Sequence, residues 1–100
     1  MESTPTRADE DETGRIVVVR LWAAAKATAG VARLELPVTG PLSLSQVMGL
    51  VLLDRPDRLA PVLAACSVLV GEQPVSSLDP DDVVVRPGDT VEFLPPFAGG

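Results

Sequence analysis

The chain has 100 residues, of which 46% are hydrophobic and 22% are charged, which suits one globular domain with an apolar core. A net charge of −6 without any basic cluster argues against nucleic acid as a partner. One cysteine, Cys66, and no histidine exclude an internal disulfide framework and histidine-based metal or triad chemistry.

Residues 1–14 carry five of the fourteen acidic residues and one arginine, and they show no apolar periodicity. This composition predicts a disordered acidic N-terminal arm, with a docking tail as the alternative. The segment lacks the basic start and apolar stretch of a signal peptide. No apolar run in the sequence reaches the ~18 residues of a membrane helix, so a cytoplasmic protein without membrane contact is expected.

Two strands are predicted next. The β-branched segment "RIVVVRLW" (15–22) is apolar on both faces, which indicates a central strand. In "VARLELPV" (31–38) charged and apolar residues alternate, as in a half-buried strand that ends at Pro37. The intervening "AAAKATAG" (23–30) ends in a glycine and is predicted to form a turn, so the two strands can form a hairpin.

The clearest helix lies within "PLSLSQVMGLVLLDRPDRL" (41–59), with Ser43 or Ser45 as its N-cap. Arg55-Pro56 should end it, and "RLAPVLAA" (58–65) can add a helical turn. The apolar stripe of the helix follows spacings of three and four residues and consists of Leu44, Val47, Met48, Val51 and Leu52.

The second half of the chain predicts two more strands. "CSVLVGEQPV" (66–75) indicates a strand that runs into a glycine turn, and "DTVEFLP" (89–95) alternates as the last strand. Cys66 begins an apolar run with no base nearby, which favours a buried, unreactive thiol. The order β-β-α-β-β predicts an α+β fold over residues 15–95, a mixed sheet with one main helix packed across one face.

The sequence ends in "FLPPFAGG" (93–100), without a charged side chain after Glu92. Two prolines favour an extended polyproline geometry, and two glycines give a thin backbone without Cβ atoms. An uncharged segment of this kind avoids the desolvation cost of entering another protein's active site. Residues 96–100 are therefore predicted to be a flexible tail that is inserted into a partner.

With its terminal Gly-Gly, this order of elements resembles the ubiquitin-like β-grasp family, and most of all the MoaD-like sulfur carriers, the small subunit of molybdopterin synthase. The stretches that carry the resemblance are "VRLWAAAKATAG" (19–30), "CSVLVGEQPV" (66–75) and "GDTVEFLPPFAGG" (88–100). Together they place the resemblance over roughly 15–100, and the acidic arm lies outside it.

The resemblance implies a non-catalytic, sulfur-donating subunit that binds no cofactor itself. The carboxylate of Gly100 would be adenylated by a ubiquitin-activating-enzyme-like adenylyltransferase that uses ATP, and then converted to a thiocarboxylate. This group would donate sulfur to a pterin precursor on the large catalytic subunit of molybdopterin synthase. Trp22 and Leu94, together with Phe97, would form an apolar patch that docks on the larger subunit. The residues inserted with the tail would be Pro95, Pro96, Phe97, Ala98 and Gly99.

Several alternatives stay open from the sequence. The carrier could serve thiamine, cysteine or tRNA thiolation, although thiamine carriers are typically shorter and lack "PPF". The Gly-Gly end could instead form isopeptide bonds as a ubiquitin-like protein modifier, or the domain could be an interaction module with an idle terminus. Trp22 is compatible with either the core or the docking surface, and Lys26 matches a basic position that is common in these carriers but is also typical of a solvated surface.

Overall fold

The computed structural model describes residues 15–96, so the predicted acidic arm and Phe97, Ala98, Gly99 and Gly100 lie outside the described residues. Seven strands and three helices form within residues 15–96. The strands are β1 (Ile16–Leu21), β2 (Arg33–Pro37), β3 (Leu42–Ser43), β4 (Ser67–Val70), β5 (Gln73–Pro74), β6 (Val84–Val85) and β7 (Thr90–Leu94). The helices are α1 (Ala23–Ala29), α2 (Leu44–Leu52) and α3 (Leu59–Ala65).

The main sheet has five strands in the order β2-β1-β7-β4-β5, and β3 pairs with β6 in a separate two-stranded sheet. Strands β1 and β7 run parallel, whereas every other pair in the main sheet is antiparallel. The predicted mixed sheet is therefore confirmed. Strand β1 is paired on both edges, as its apolar sequence predicts.

One face of the main sheet is covered by the helices, and we call it the inner face. Side chains alternate across a strand, so every second residue of β1 and β7 points to this face. Apolar side chains fill it, and in the middle of the sheet they are shielded from water almost completely. From β1 and β7 these are Val17, Val19, Leu21, Val91 and Phe93.

Helix α2 begins with a capping box. The Gln46 backbone N–H donates to Ser43 Oγ at 3.1 Å, and the Ser43 N–H donates to Gln46 Oε1 at 2.8 Å. Both bonds satisfy amide groups that a helix start would otherwise leave unpaired. The predicted apolar stripe faces the core: its buried members are Leu44, Val47 and Val51, and Met48 and Leu52 pack against them.

The number of helices differs from the sequence expectation. The segment that was expected to form a turn is helix α1, because alanine has the highest helix propensity and Ala25 and Ala29, four residues apart, are buried. Gly30 ends this helix with a left-handed backbone (φ +83°), so the glycine is a helix C-cap. Helix α3 extends the expected single turn to seven residues. None of the helices in residues 15–96 is long and apolar enough to cross a bilayer.

A tight turn before β7 directs this strand alongside β1. The Asp89 N–H donates to Arg86 O at 2.9 Å across Pro87 and Gly88, and Gly88 has a φ of +93°. Proline followed by a glycine with positive φ is typical of a type II turn. The Gly88 N–H then donates to Ile16 O at 2.7 Å, which fixes the start of the parallel pair.

Candidate docking site

The last described strand ends beside the end of the first. In the parallel register Leu21 lies next to Phe93, and the Trp22 N–H donates to Phe93 O at 3.1 Å. One residue further, Trp22 lies alongside Leu94, where the chain leaves the sheet. The following Pro95 and Pro96 are exposed. The tail that the sequence predicts therefore starts next to the tryptophan.

Trp22 is a surface residue with 39% of its area exposed. Its indole Nε1–H donates to Glu92 Oε1 at 3.1 Å. The guanidinium carbon of Arg20 lies 5.0 Å from the centre of the ring, within cation–π distance. Of the two possibilities that the sequence left open, the core position is thus wrong and the surface position is observed.

Leu94 is half-buried on the outer face of the sheet, opposite the helices, where it lies in register with Ser67 of β4. Leu69, also half-buried, occupies the same face in register with Glu92. Trp22, Leu94 and Leu69 therefore give this end of the outer face an apolar surface. We call the surface formed by Arg20, Trp22, Leu69, Glu92 and Leu94 the docking surface.

The structure thus brings four of the predicted site residues to one end of the sheet, namely Trp22, Leu94, Pro95 and Pro96. Phe97, Ala98, Gly99 and Gly100 lie outside the described residues, and their roles stay predictions.

Arg20 and Glu92 were not predicted as site residues. Strand alternation already indicated that Arg20 shares a face with Trp22, which directly follows β1, and that Glu92 shares a face with Leu94 in β7. Pairing β1 with β7 was needed to see that the two pairs are adjacent: Arg20 and Glu92 are register partners.

Cys66 precedes Ser67, so it lies at the same end of the sheet as Leu94. Its thiol packs against the core and donates to Val62 O at 3.2 Å. Burial raises the pKa of the Cys66 thiol, because a thiolate is disfavoured away from water. These contacts describe a structural thiol, although it is partly rather than fully buried.

A concavity lies toward the start of β1, and its lining reaches Arg33, the register partner of Arg20. It is an open groove of about 770 Å³, lined among others by Ile16, Val18, Arg33 and Glu35. The groove holds no pair of catalytic groups beyond the Arg33–Glu35 ion pair of 2.8 Å. Within residues 15–96, no group of three or more histidine, cysteine or acidic side chains could hold a metal ion.

A mixed sheet with a parallel central pair and a helix packed across one face defines a ubiquitin-like β-grasp protein. The sequence matches the ThiS family over residues 19–100. The chain therefore belongs to the ThiS family, which groups ubiquitin-like sulfur carriers and modifiers of the ThiS and MoaD type, and the resemblance expected from the sequence is confirmed.

Solved structures agree with this fold. The HVO 2177 protein of Haloferax volcanii is 24% identical, with 85% of this chain and 86% of that chain covered and a TM-score of 0.68. The small archaeal modifier protein 1 of Methanosarcina acetivorans is 20% identical, with coverages of 85% and 96% and a TM-score of 0.66.

A third similar structure is a protein–protein complex of subunits 1 and 2 of the molybdopterin-converting factor from Helicobacter pylori. The matching chain is 20% identical, with coverages of 85% and 99% and a TM-score of 0.56. At these identities the likeness shows the fold alone. No curated protein matches the sequence significantly.

Proposed function

We propose that this chain is the sulfur carrier subunit of a molybdopterin synthase. The Gly100 carboxylate is adenylated at the expense of ATP by a ubiquitin-activating-enzyme-like adenylyltransferase, and a sulfur donor then displaces AMP to leave a thiocarboxylate. The large catalytic subunit takes this sulfur onto a pterin precursor. The observation that carries the proposal is the family match, which runs through the uncharged "LPPFAGG" segment to Gly100.

The exit point of the chain supports this role. The tail starts at the end of the central strand β7 with two exposed prolines, so it can leave the domain without unfolding β7. Residues 95–100 can span at most about 20 Å when fully extended. That reach lets the carboxylate enter a partner's active site while the docking surface rests against the partner at the entrance.

The docking surface has the composition of an interface centre. Aromatic anchors often dominate the free energy of such interfaces, and Trp22 is exposed beside the half-buried Leu94. A partner that covers both side chains would hold the domain at the base of the tail. The complex of the two molybdopterin-converting factor subunits is compatible with an assembly of this kind.

The proposed nucleophile is the thiocarboxylate, so the chain needs no catalytic side chain. The raised pKa of Cys66 supports this division, because a thiol held in its neutral form is a poor nucleophile at neutral pH. Because the proposed reaction consumes ATP, we propose that it takes place in the cytoplasm.

The test is intact mass measurement of the chain after incubation with ATP, a sulfur donor and the activating enzyme. Exchange of one oxygen for sulfur supports a carrier, and lysine-linked adducts support a protein modifier instead. Addition of the large subunit and the pterin precursor then separates molybdopterin synthesis from the other thiolation pathways by the product formed.

Tail variants sharpen this test. Removal of Gly100 retracts the carboxylate by about 3.3 Å, and a misplacement of 1 Å can cost on the order of a hundredfold in rate. We expect sulfur transfer to be abolished while circular dichroism shows an unchanged fold. An added residue after Gly100 should be equally damaging, and Gly99→Val should be intermediate to severe, since a β-branched side chain restricts the backbone. Normal turnover without Gly100 would contradict the carrier proposal and favour an interaction module instead.

A further inference from the structure

Trp22 is exposed, yet contacts on three sides hold it in place. Its backbone N–H is bound to Phe93 O at 3.1 Å and its indole N–H to Glu92 Oε1 at 3.1 Å. Arg20 covers one face of the ring at 5.0 Å. An exposed indole without such contacts would sample several rotamers, and that freedom would be lost on binding.

The charged side chains around the indole contact the ring and do not form ion pairs between the strands. Arg20 lies directly opposite Arg33, an unfavourable arrangement for two like charges. Arg33 turns to Glu35 at 2.8 Å, and Arg20 turns to the indole. Glu92 is the register partner of Arg20 on the other side, but its carboxylate accepts the indole N–H.

The backbone after Trp22 is also unusual. Ala23 has a φ of +49°, in the left-handed region that a residue with a Cβ atom rarely adopts. Such a conformation persists only where the surrounding structure enforces it. Ala23 is the first residue of α1 and directly follows Trp22, so its backbone fixes the direction in which the chain leaves Trp22.

We infer that Arg20 and Glu92 are positioning residues that hold the Trp22 indole in its docking orientation before the partner arrives. This inference rests on the proposed function for the identity of the partner, the large catalytic subunit, and the similar two-subunit complex of the molybdopterin-converting factor supports that choice. Without either positioning residue the indole would lose its rotamer freedom only on binding, and this entropy loss would lower the affinity for the partner.

Trp22 is the single tryptophan of the chain, so intrinsic fluorescence reports on this side chain alone. In Glu92→Ala the indole should become more mobile, with lower fluorescence anisotropy and faster acrylamide quenching. Glu92→Gln should restore the wild-type values, because an amide oxygen still accepts the indole N–H. Arg20→Gln should increase quenching by uncovering one ring face.

Glu72→Ala and Arg86→Gln are matched controls, because they remove the same charges at exposed positions near the start of β7, at the far end of this strand from Trp22. Neither should change the fluorescence. Equal anisotropy and quenching in wild type, Glu92→Ala and Arg20→Gln, with the controls also unchanged, would overturn the inference without touching the proposed function.

The second measurement is the dissociation constant for the large catalytic subunit, with circular dichroism of each variant. Glu92→Ala and Arg20→Gln should each weaken binding roughly fivefold, about the cost of one lost hydrogen bond or one side chain ordered on binding. Glu92→Gln and both controls should bind like wild type. Unchanged binding by Glu92→Ala and Arg20→Gln would overturn the inference. A wild-type chain that receives no sulfur would instead reject the proposed function.

Discussion

The two faces of the main sheet are built from the same strands but differ in what they contribute. On the inner face Val19, Val91 and Phe93 are fully buried beneath the helices. On the outer face the residues next to them in sequence, Arg20 and Glu92, hold an exposed tryptophan. Because neighbouring residues of a strand point to opposite sides, stability and docking can be altered separately in β1 and β7.

The largest effect is expected from the inner face. Phe93→Ala should lower the free energy of unfolding by about 3–5 kcal/mol, since it removes a fully buried ring and leaves a cavity. Denaturant unfolding followed by circular dichroism measures this loss. Leu94→Ala is the matched change one residue later on the outer face, where the side chain is half-buried, and it should cost clearly less. Equal losses at both positions would contradict the separation of the two faces.

The reverse pattern is expected for docking. Trp22→Ala should weaken binding to the large catalytic subunit by about 2 kcal/mol, the size of an interface hot spot, with little change in stability because the side chain is exposed. Phe97→Ala should weaken the complex by roughly 1 kcal/mol or more if the ring is an anchor. Titration calorimetry gives both values. A variant with an unchanged dissociation constant and an intact fold would remove that residue from the proposed interface.

A smaller effect, on stability at alkaline pH and not on sulfur transfer, is expected for Cys66. Burial raises the pKa of the Cys66 thiol, so the folded protein holds the proton more tightly than the unfolded chain does. The resulting stability is fully present below the ordinary thiol pKa and is lost as the pH rises through the raised value. Cys66→Ala should flatten this alkaline dependence in unfolding measurements and should leave sulfur transfer intact. Loss of transfer in this variant would make Cys66 part of the chemistry.

The features that could be predicted from the sequence are those in which a local pattern determines the structure. Alternation in "DTVEFLP" predicted the last strand, and in β7 the alternate residues Val91 and Phe93 are buried whereas Glu92 lies on the other face. The apolar stripe of α2 could be predicted from the spacing of its apolar residues alone. Helix α1 was missed because a short alanine-rich segment offers no contrast between apolar and polar faces, and its final glycine is compatible with a turn or with a helix end.

The docking surface could be predicted only in part. Strand alternation allowed Trp22 to be core or surface, because the strand ends there and its last side chain can meet either environment. The surface position of Trp22 depends on Glu92, which is 70 residues away in sequence and accepts the indole N–H only after β1 and β7 pair. Contacts between strands from opposite ends of the chain are not encoded in any local window, so Arg20 and Glu92 emerged only with the structure.

The smallest effect is expected outside both faces. Five acids and one arginine give residues 1–14 a charge of −4, two thirds of the total of −6. Their polar composition supplies little apolar surface for the fold or for an interface, so deletion of this arm should leave the melting temperature and the dissociation constant nearly unchanged. Binding should be measured at about 0.15 M salt, where the screening length of ~8 Å suppresses long-range attraction, and again at low salt. An effect confined to low salt would reflect charge alone, whereas weaker binding at both would show that the arm is a docking element and that the outer face is not the whole interface.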